Sequence, residues 1–285
     1  KPHTINVEFM KEVGDKSVVR FLSVAISPMI FIYINTYSDL GQTLTPTMPV
    51  GDKPLTRDEV VLIRNWVMQG APDRNGYVAF SENPYRKKIY VVQQGCDAVA
   101  VIDAKTKLVM RYVKVGNSSQ IESPHMIRVS PDGQYWYVCF LNSPVFQKYR
   151  TSDDSFAGEV TIGIGSWNTF TITSNSKKAF IADWSTPGKI AYVDLVNMSM
   201  LTTYQSASPG YIDDPHGIVV NEDSTSLYVG TVAPGNFFYK IDITDPFSPI
   251  VNQQPFSATT VSAHEVLFSP DGLKYFITCN TTNEV

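Results

Sequence analysis

Three histidines of the chain stand at one position of a repeated sequence unit. They are His125, His216 and His264, and Asn168 stands at the same position of the unit between the first two. Neutral imidazole binds zinc, copper and iron, so rings converging from several units predict a transition-metal site. Nearby carboxylates are candidates for orienting these rings by hydrogen bonds. These carboxylates are Glu122, Asp213, Asp214 and Glu265.

A structural role explains the same histidines without a ligand. Each ring can hydrogen-bond the backbone of the neighbouring unit, and duplication of one ancestral unit would leave histidine at one register. Gly76 holds the equivalent position of the first unit, so the set of imidazoles is incomplete. The residues alone leave both interpretations open, and they single out no class of enzyme.

The unit that carries these positions recurs about every 48 residues. A turn of the type Ser-Pro-Asp-Gly precedes an aromatic-rich strand, as in 129–139 and 268–278. Further strands are predicted at 99–106, 145–153, 190–197 and 238–245. Four short strands in a unit of this length are typical of a β-propeller blade. We therefore predict a mainly β fold, with about four and a half blades of a ring of about seven.

The composition fits such a globular fold and argues against several other classes. The 285 residues are 43% hydrophobic and 18% charged with a net charge of −4, which is unlike a disordered chain. The mild acidity argues against nucleic acid as a partner. The most apolar stretch, 21–37, is interrupted by polar residues, so no transmembrane segment is predicted in this chain. Three cysteines cannot form a disulfide framework.

Residues 1–75 differ from the repeats and are predicted to form a separate small domain before 76–285. Apolar residues recur with helical period over 55–69. Thr56 and Glu59 have the spacing of a capping box, which marks the start of this helix. The preceding segment, 45–54, is rich in proline and glycine and contains Met48.

This segment resembles the C-terminal half of a small c-type cytochrome domain, over about 30 residues. The matching stretches are TMP at 47–49, PLT at 54–56, IRNWV at 63–67 and GAP at 70–72. The resemblance implies that Met48 is an axial ligand of haem iron, that Trp66 packs at the haem edge and that His3 is a candidate for the second ligand. The attachment motif C-x-x-C-H is absent from the chain. Alternatively, Met48 only fills a gap beside the helix.

The repeats resemble the YVTN and YncE-like propellers, whose superfamily includes the propeller domains of cytochrome d1 and nitrous-oxide reductase. SPDGQYWYV at 130–138, SPDGLKYFIT at 269–278 and PHGIVV at 215–220 carry this resemblance. In those reductases, histidines facing the central channel hold copper or d1 haem chemistry. The resemblance thus implies that His125, His216 and His264 lie at the entrance of a channel.

Two functions follow as hypotheses. The first is a periplasmic or cell-surface redox protein, in which a module with haem c transfers electrons and the propeller docks a redox partner or an envelope protein, or holds a second centre. The second is a propeller without catalytic activity that binds a protein or glycan through aromatic side chains. Candidate aromatics are Trp136, Trp167, Trp184, Tyr211 and Phe237. Packing between blades is the alternative role for these residues, which we favour for Trp136 and leave open for Trp184. Both chain ends are expected to be cut from a longer polypeptide.

Overall fold

A computed structural model describes most of the chain. The described residues are 33–40, 43, 45, 47–68, 74–76, 86–205, 212–235, 237–255, 261–269, 271–279 and 285. The chain divides into two compact units, of which the first comprises Lys1–Gln93 with Ala98–Val115 and the second Gln94–Asp97 with Gly116–Val285. The expected domain boundary between residues 75 and 76 stays a prediction.

The first unit contains the predicted helix, α1 (Arg57–Met68), which follows a short 3₁₀ helix at Ser38–Leu40. The capping box is present, because Thr56 N–H donates to Glu59 Oε2 at 2.8 Å and Glu59 N–H donates to Thr56 Oγ1 at 3.4 Å. A small apolar core forms where Val60 of α1 meets Leu55 and Ile34. The helix prediction is confirmed, whereas the cytochrome-like domain stays a prediction.

The first unit also contains an antiparallel sheet in the order β1-β2-β3. Its strands are β1 (Lys88–Gln93), β2 (Ala98–Asp103) and β3 (Val109–Lys114). Asp103 ends β2 and caps the following turn, since its Oδ2 accepts hydrogen bonds from the backbone and hydroxyl of Thr106 at 2.9 and 2.6 Å. The carboxylate of Asp103 at the end of this strand thus acts as an ordinary turn cap.

The second unit consists of two four-stranded antiparallel sheets and one six-stranded sheet, in which a four-stranded part is extended by a pair of strands. The second sheet of the chain comprises β4 (Pro124–Val129), β5 (Tyr135–Phe140), β6 (Val145–Arg150) and β7 (Phe156–Thr161). The third comprises β8 (Trp167–Ile172), β9 (Lys178–Asp183), β10 (Lys189–Asp194) and β11 (Ser199–Tyr204). The fourth comprises β12 (Pro215–Val220), β13 (Ser226–Gly235), β14 (Phe237–Asp242) and β15 (Ile250–Pro255). The last pair is β16 (Val261–Phe268) and β17 (Tyr275–Cys279).

These sheets pack face to face through apolar side chains. Phe146 of the second sheet contacts Phe170 of the third with ring centroids 4.9 Å apart. Phe180 of the third sheet shares a buried cluster with Leu227 of the fourth. The first strands of successive sheets are neighbours, since β8 contacts both β4 and β12, and β12 also contacts β16. Sheets stacked in this way are blades of a β-propeller, as the repeats predicted.

The predicted tight turns are also present. Gly133 and Gly272 adopt φ of 71° and 68°, in the left-handed region that glycine enters without strain. Each donates its N–H to a serine carbonyl three residues earlier at 2.8 Å. The Asp-Gly pairs thereby fix where the first strand of a blade ends and the second begins.

β13 is longer than the other second strands because it belongs to two blades. Ser226–Val229 pair with β14, whereas Thr231 and Gly235 pair with Ala263 and Val261 of β16. The fourth and fifth blades are therefore joined by backbone hydrogen bonds as well as by packing.

Candidate functional site

Each first strand of the second unit carries a β-bulge at the position that the repeat singled out. The pairing register shifts between Pro124 and Met126, and the three later first strands show shifts at the equivalent place. A bulge leaves one residue unpaired and turns its side chain away from the regular alternation. We call the four bulged side chains the bulge cluster. They are His125 in β4, Asn168 in β8, His216 in β12 and His264 in β16.

The bulges bring the three imidazoles together, although they come from different blades. The rings of His216 and His264 lie 3.7 Å apart between centroids with planes inclined by 33°. His125 meets His216 edge to face at 6.1 Å. Trp184, which is 40% exposed, also meets the ring of His216 edge to face, with centroids 5.4 Å apart. The predicted convergence of the histidines is thus present in the fold.

Gly217 permits the closest of these contacts. A β-carbon at this residue would lie 2.6 Å from Glu265 Cα and 2.8 Å from His264 O. Only glycine lets the backbones of β12 and β16 approach so closely. The rings of His216 and His264 are in contact next to this glycine. The sequence signal was the Pro-His-Gly triplet, in which we considered only the histidine.

Two members of the bulge cluster hydrogen-bond the backbone of the next blade. His125 Nδ1 lies 2.7 Å from the carbonyl oxygen of Asn168. A carbonyl only accepts, so Nδ1 carries the hydrogen and donates. Asn168 Nδ2 in turn donates to the carbonyl of Pro215 at 3.1 Å. The structural role foreseen for these residues, a hydrogen bond to the neighbouring repeat, is therefore real for His125 and Asn168.

The environment keeps His216 and His264 neutral at physiological pH. Burial lowers the pKa of His216 to about 4, and the neighbouring His264 and His125 act in the same direction. Burial, followed by the proximity of His125, also lowers the pKa of His264. A neutral imidazole retains one nitrogen lone pair, so both rings can accept a hydrogen bond or bind a cation.

Several buried polar atoms around the bulge cluster have no hydrogen-bond partner among the described residues. Asn168 and its neighbour Thr169 are completely buried. A buried polar group without a partner is unfavourable by about 1–3 kcal/mol. Such atoms therefore indicate a bound molecule or ordered water. The atoms in and beside the cluster are Asn168 Oδ1, Thr169 Oγ1, Asp213 Oδ1 and His216 Nδ1.

A charged pair joins the second blade to the fifth on the same inner strands. Arg128 Nε donates to the carbonyl of Phe170 at 2.5 Å, and its Nη2 lies 3.6 Å from Glu265 Oε1. Burial lowers the pKa of Arg128 and raises that of Glu265, and the attraction between the two charges opposes both shifts. No feature of the repeat singled out Arg128, which lies three residues after a bulge.

The carboxylates expected to orient the rings make other contacts. Glu122 Oε2 accepts from the backbone N–H groups of Asn117 and Ser118 at 2.6 and 2.9 Å. Asp214 accepts from Thr186 Oγ1 at 2.7 Å. Over the residues that the structure covers, no hydrogen bond joins these carboxylates, Asp213 or Glu265 to an imidazole. Likewise, no group of three or more His, Cys, Asp or Glu side chains among those residues is arranged to hold a metal ion.

The aromatic side chains of the binding hypothesis are mostly internal. Trp136 and Trp167 are completely buried, and Trp136 stacks on Tyr149 with centroids 4.1 Å apart. Neither can contact a partner, so the packing role favoured for Trp136 agrees with its burial, whereas the expectation that Trp167 is exposed is wrong. Phe237 is half-buried against Tyr239. Trp184 is exposed, and Tyr211 lies outside the described residues.

The residues of the predicted haem site lie in the first unit. Met48 N–H donates to the carbonyl of Tyr33 at 2.8 Å, and the Met48 side chain is 46% exposed. The loop that holds Met48 leads directly into α1, on which Trp66 is half-buried. His3 lies outside the described residues. The structure thus describes one of the two proposed axial ligands.

Comparison with known proteins supports the fold. No family model matches the chain, and no curated protein does either. By contrast, 1398 chains of solved structures match it. One of them is hydrazine synthase of Kuenenia stuttgartiensis, with a TM-score of 0.53 and 19% identity over 72% of this chain and 59% of that chain. At this identity the likeness concerns the fold alone.

The fold and the bulge cluster together define this chain as a β-propeller protein whose inner strands present imidazoles. Across the described stretches of the molecule, no helix has the length and apolar character needed to cross a lipid bilayer.

Proposed function

We propose that the chain belongs to an extracytoplasmic redox protein. Residues 1–75 form a cytochrome c-like module that transfers electrons, and the β-propeller docks a redox partner or an envelope protein, or holds a second centre. The observation that carries this proposal is the Met48 loop. Its backbone N–H donates to the carbonyl of Tyr33, and Met48 is 46% exposed in the loop that leads into α1.

The described residues fit one side of a haem site. Met48 offers a soft sulfur ligand, and Trp66 on α1 offers an aromatic surface for the haem edge. His3 is the proposed opposite ligand. Haem bound between histidine and methionine supplies a one-electron carrier of raised reduction potential. Such a group suits electron transfer in the periplasm or at the cell surface, where c-type haem is attached.

In the propeller, the bulge cluster is the proposed second centre. His125, His216 and His264 would be metal ligands there, with Asn168 at the fourth position. The low pKa values of His216 and His264 favour this role, because only a neutral imidazole binds a metal.

The test uses the natural full-length protein purified from its own organism. We expect a Soret absorption band, and we expect Met48→Ala to keep the haem but lower its reduction potential, because the thioether ligand is lost. Met198→Leu, in a turn of the third blade, is the matched control and should leave the potential unchanged. Absence of a Soret band would contradict the redox proposal.

A binding propeller is the second candidate function, and the exposure of Trp184 favours it. Tryptophan is enriched among residues that dominate the energy of protein interfaces. Under this proposal the purified protein has no Soret band, and Trp184→Ala abolishes binding to its envelope partner while the thermal unfolding midpoint stays unchanged. A haem spectrum together with a stoichiometric metal would exclude a pure scaffold.

A further inference from the structure

The bulge cluster holds a buried hydrogen-bond acceptor that the protein does not use. The side-chain amide of Asn168 is completely buried, and its Nδ2 donates to the carbonyl of Pro215. This bond fixes the orientation of the amide, because a carbonyl cannot donate. Asn168 Oδ1 therefore remains an acceptor, and it has no partner among the described residues.

His125 adds a second acceptor at the same level of the fold. Its Nδ1 donates to the carbonyl of Asn168, so a lone pair for accepting a hydrogen bond can only be on the other ring nitrogen, Nε2. His125 and Asn168 are thus linked by one hydrogen bond, and each keeps one acceptor. Within the same described strands, the buried Nδ1 of His216 is likewise without a partner.

The unused acceptors and the rings nearby favour a ligand that donates hydrogen bonds over an anion. Asn168 Oδ1 and His216 Nδ1 are both buried without a hydrogen-bond partner among the residues that the structure describes. Arg128 is already engaged by Phe170 O and Glu265. The ring of His216 contacts the rings of both His264 and the exposed Trp184, so the cluster also offers aromatic surface. Ammonium groups bind where acceptors and aromatic rings meet.

We propose that the bulge cluster binds a small ligand with an ammonium group, whose N–H groups donate to Asn168 Oδ1 and His125 Nε2. Trp184 lies at the exposed side of the cluster and contacts the remainder of the ligand. This ligand and the metal proposed above are alternative occupants of the same cluster, between which the test decides, and the inference does not depend on haem at Met48.

The test is a titration of the full chain, with ¹⁵N-labelled histidine, followed by nuclear magnetic resonance. Methylammonium chloride is compared with tetramethylammonium chloride at constant ionic strength. We expect a saturable shift of the His125 ring nitrogens with methylammonium, and at least about tenfold weaker binding of tetramethylammonium, which has no N–H group to donate. An equal response to both salts, or no response to either, would overturn the proposal.

Two variants and a metal titration complete the test. Asn168→Ser should weaken methylammonium binding at least about tenfold, whereas Asn142→Ser, outside the cluster, should not change it. If Asn168→Ser fails to fold, the comparison of the two salts on the unmodified chain still decides. Stoichiometric, chelator-reversible binding of Zn²⁺ to the histidines without a response to methylammonium would overturn the proposal in favour of a metal. Neither result depends on a Soret band.

Discussion

His216 and His264 belong to different blades, yet their imidazole rings lie only 3.7 Å apart between centroids. Two protonated imidazoles at this distance would repel each other strongly, and burial disfavours the charge further. The contact therefore requires at least one neutral ring, which agrees with the low pKa of His216.

A first prediction concerns stability between pH 6.5 and 4. The pKa of His216 is about 4 in the folded protein and 6.5 in an unfolded chain, so the unfolded state binds more protons in this range. Stability should consequently fall by about 3 kcal/mol as the pH is lowered from 6.5 to 4 and then level off for this group. Urea unfolding of the natural chain and of His216→Gln measures this, and an equal pH dependence of both would contradict it.

A second prediction concerns Gly217. Alanine there would place a β-carbon 2.6 Å from Glu265 Cα, so β12 and β16 must separate. We expect Gly217→Ala to destabilise the protein by about 2–4 kcal/mol and to remove the contact between the His216 and His264 rings. Gly95→Ala is the control, because nothing lies within 4 Å of its added carbon. Similar unfolding midpoints for both variants would show that the close approach is unimportant.

A third prediction compares two ion pairs. Arg128 and Glu265 have side chains that are 29% and 22% exposed, whereas those of Arg57 and Asp39 are 52% and 61% exposed. We expect Glu265→Gln to lower the free energy of unfolding by about 1 kcal/mol, because it leaves a desolvated guanidinium without its partner. Asp39→Asn should have no measurable effect, since solvent screens that pair. A double-mutant cycle that adds Arg128→Met measures the interaction free energy between Arg128 and Glu265, which the single variants do not isolate.

A fourth prediction concerns acid sensitivity in the third blade. Asp194 accepts a hydrogen bond from Lys178 Nζ at 2.7 Å, and this bond together with the backbone N–H groups of Asn197 and Val196 lowers its pKa to about 2. Its stabilising effect should be complete above pH 4 and be lost as the pH falls through 2. Asp194→Asn should therefore be less stable by about 1 kcal/mol at pH 7, with the difference vanishing near pH 2. Thermal unfolding at both pH values provides the measurement.

The sequence predicted the blades well because their signals are local. The Asp-Gly turn at Gly133 and the alternating apolar residues after it lie within about ten residues of each other. The capping box of Thr56 and Glu59 is equally local, and α1 begins where it predicts. The alignment of His125, His216 and His264 at one register also needed only the repeat.

What the sequence could not predict depends on pairs of strands. A bulge is a property of the pairing between two strands, so the reorientation of His125 or Asn168 is invisible in either strand alone. The Arg128–Glu265 pair joins residues from blades that are far apart in the chain. Trp136 and Trp184 are the same residue type beside similar strands, and only the packing of blades buries one and exposes the other.

The shared strand β13 has a consequence for how the molecule opens. Because Thr231 and Gly235 pair with β16, the fourth and fifth blades cannot separate without breaking main-chain hydrogen bonds. Blades joined through side-chain contacts alone can separate individually without breaking bonds between main chains, but these two should open together as a single cooperative unit. Amide hydrogens of β13 and β16 would then exchange with solvent at one common rate, slower than those at the other boundaries between blades.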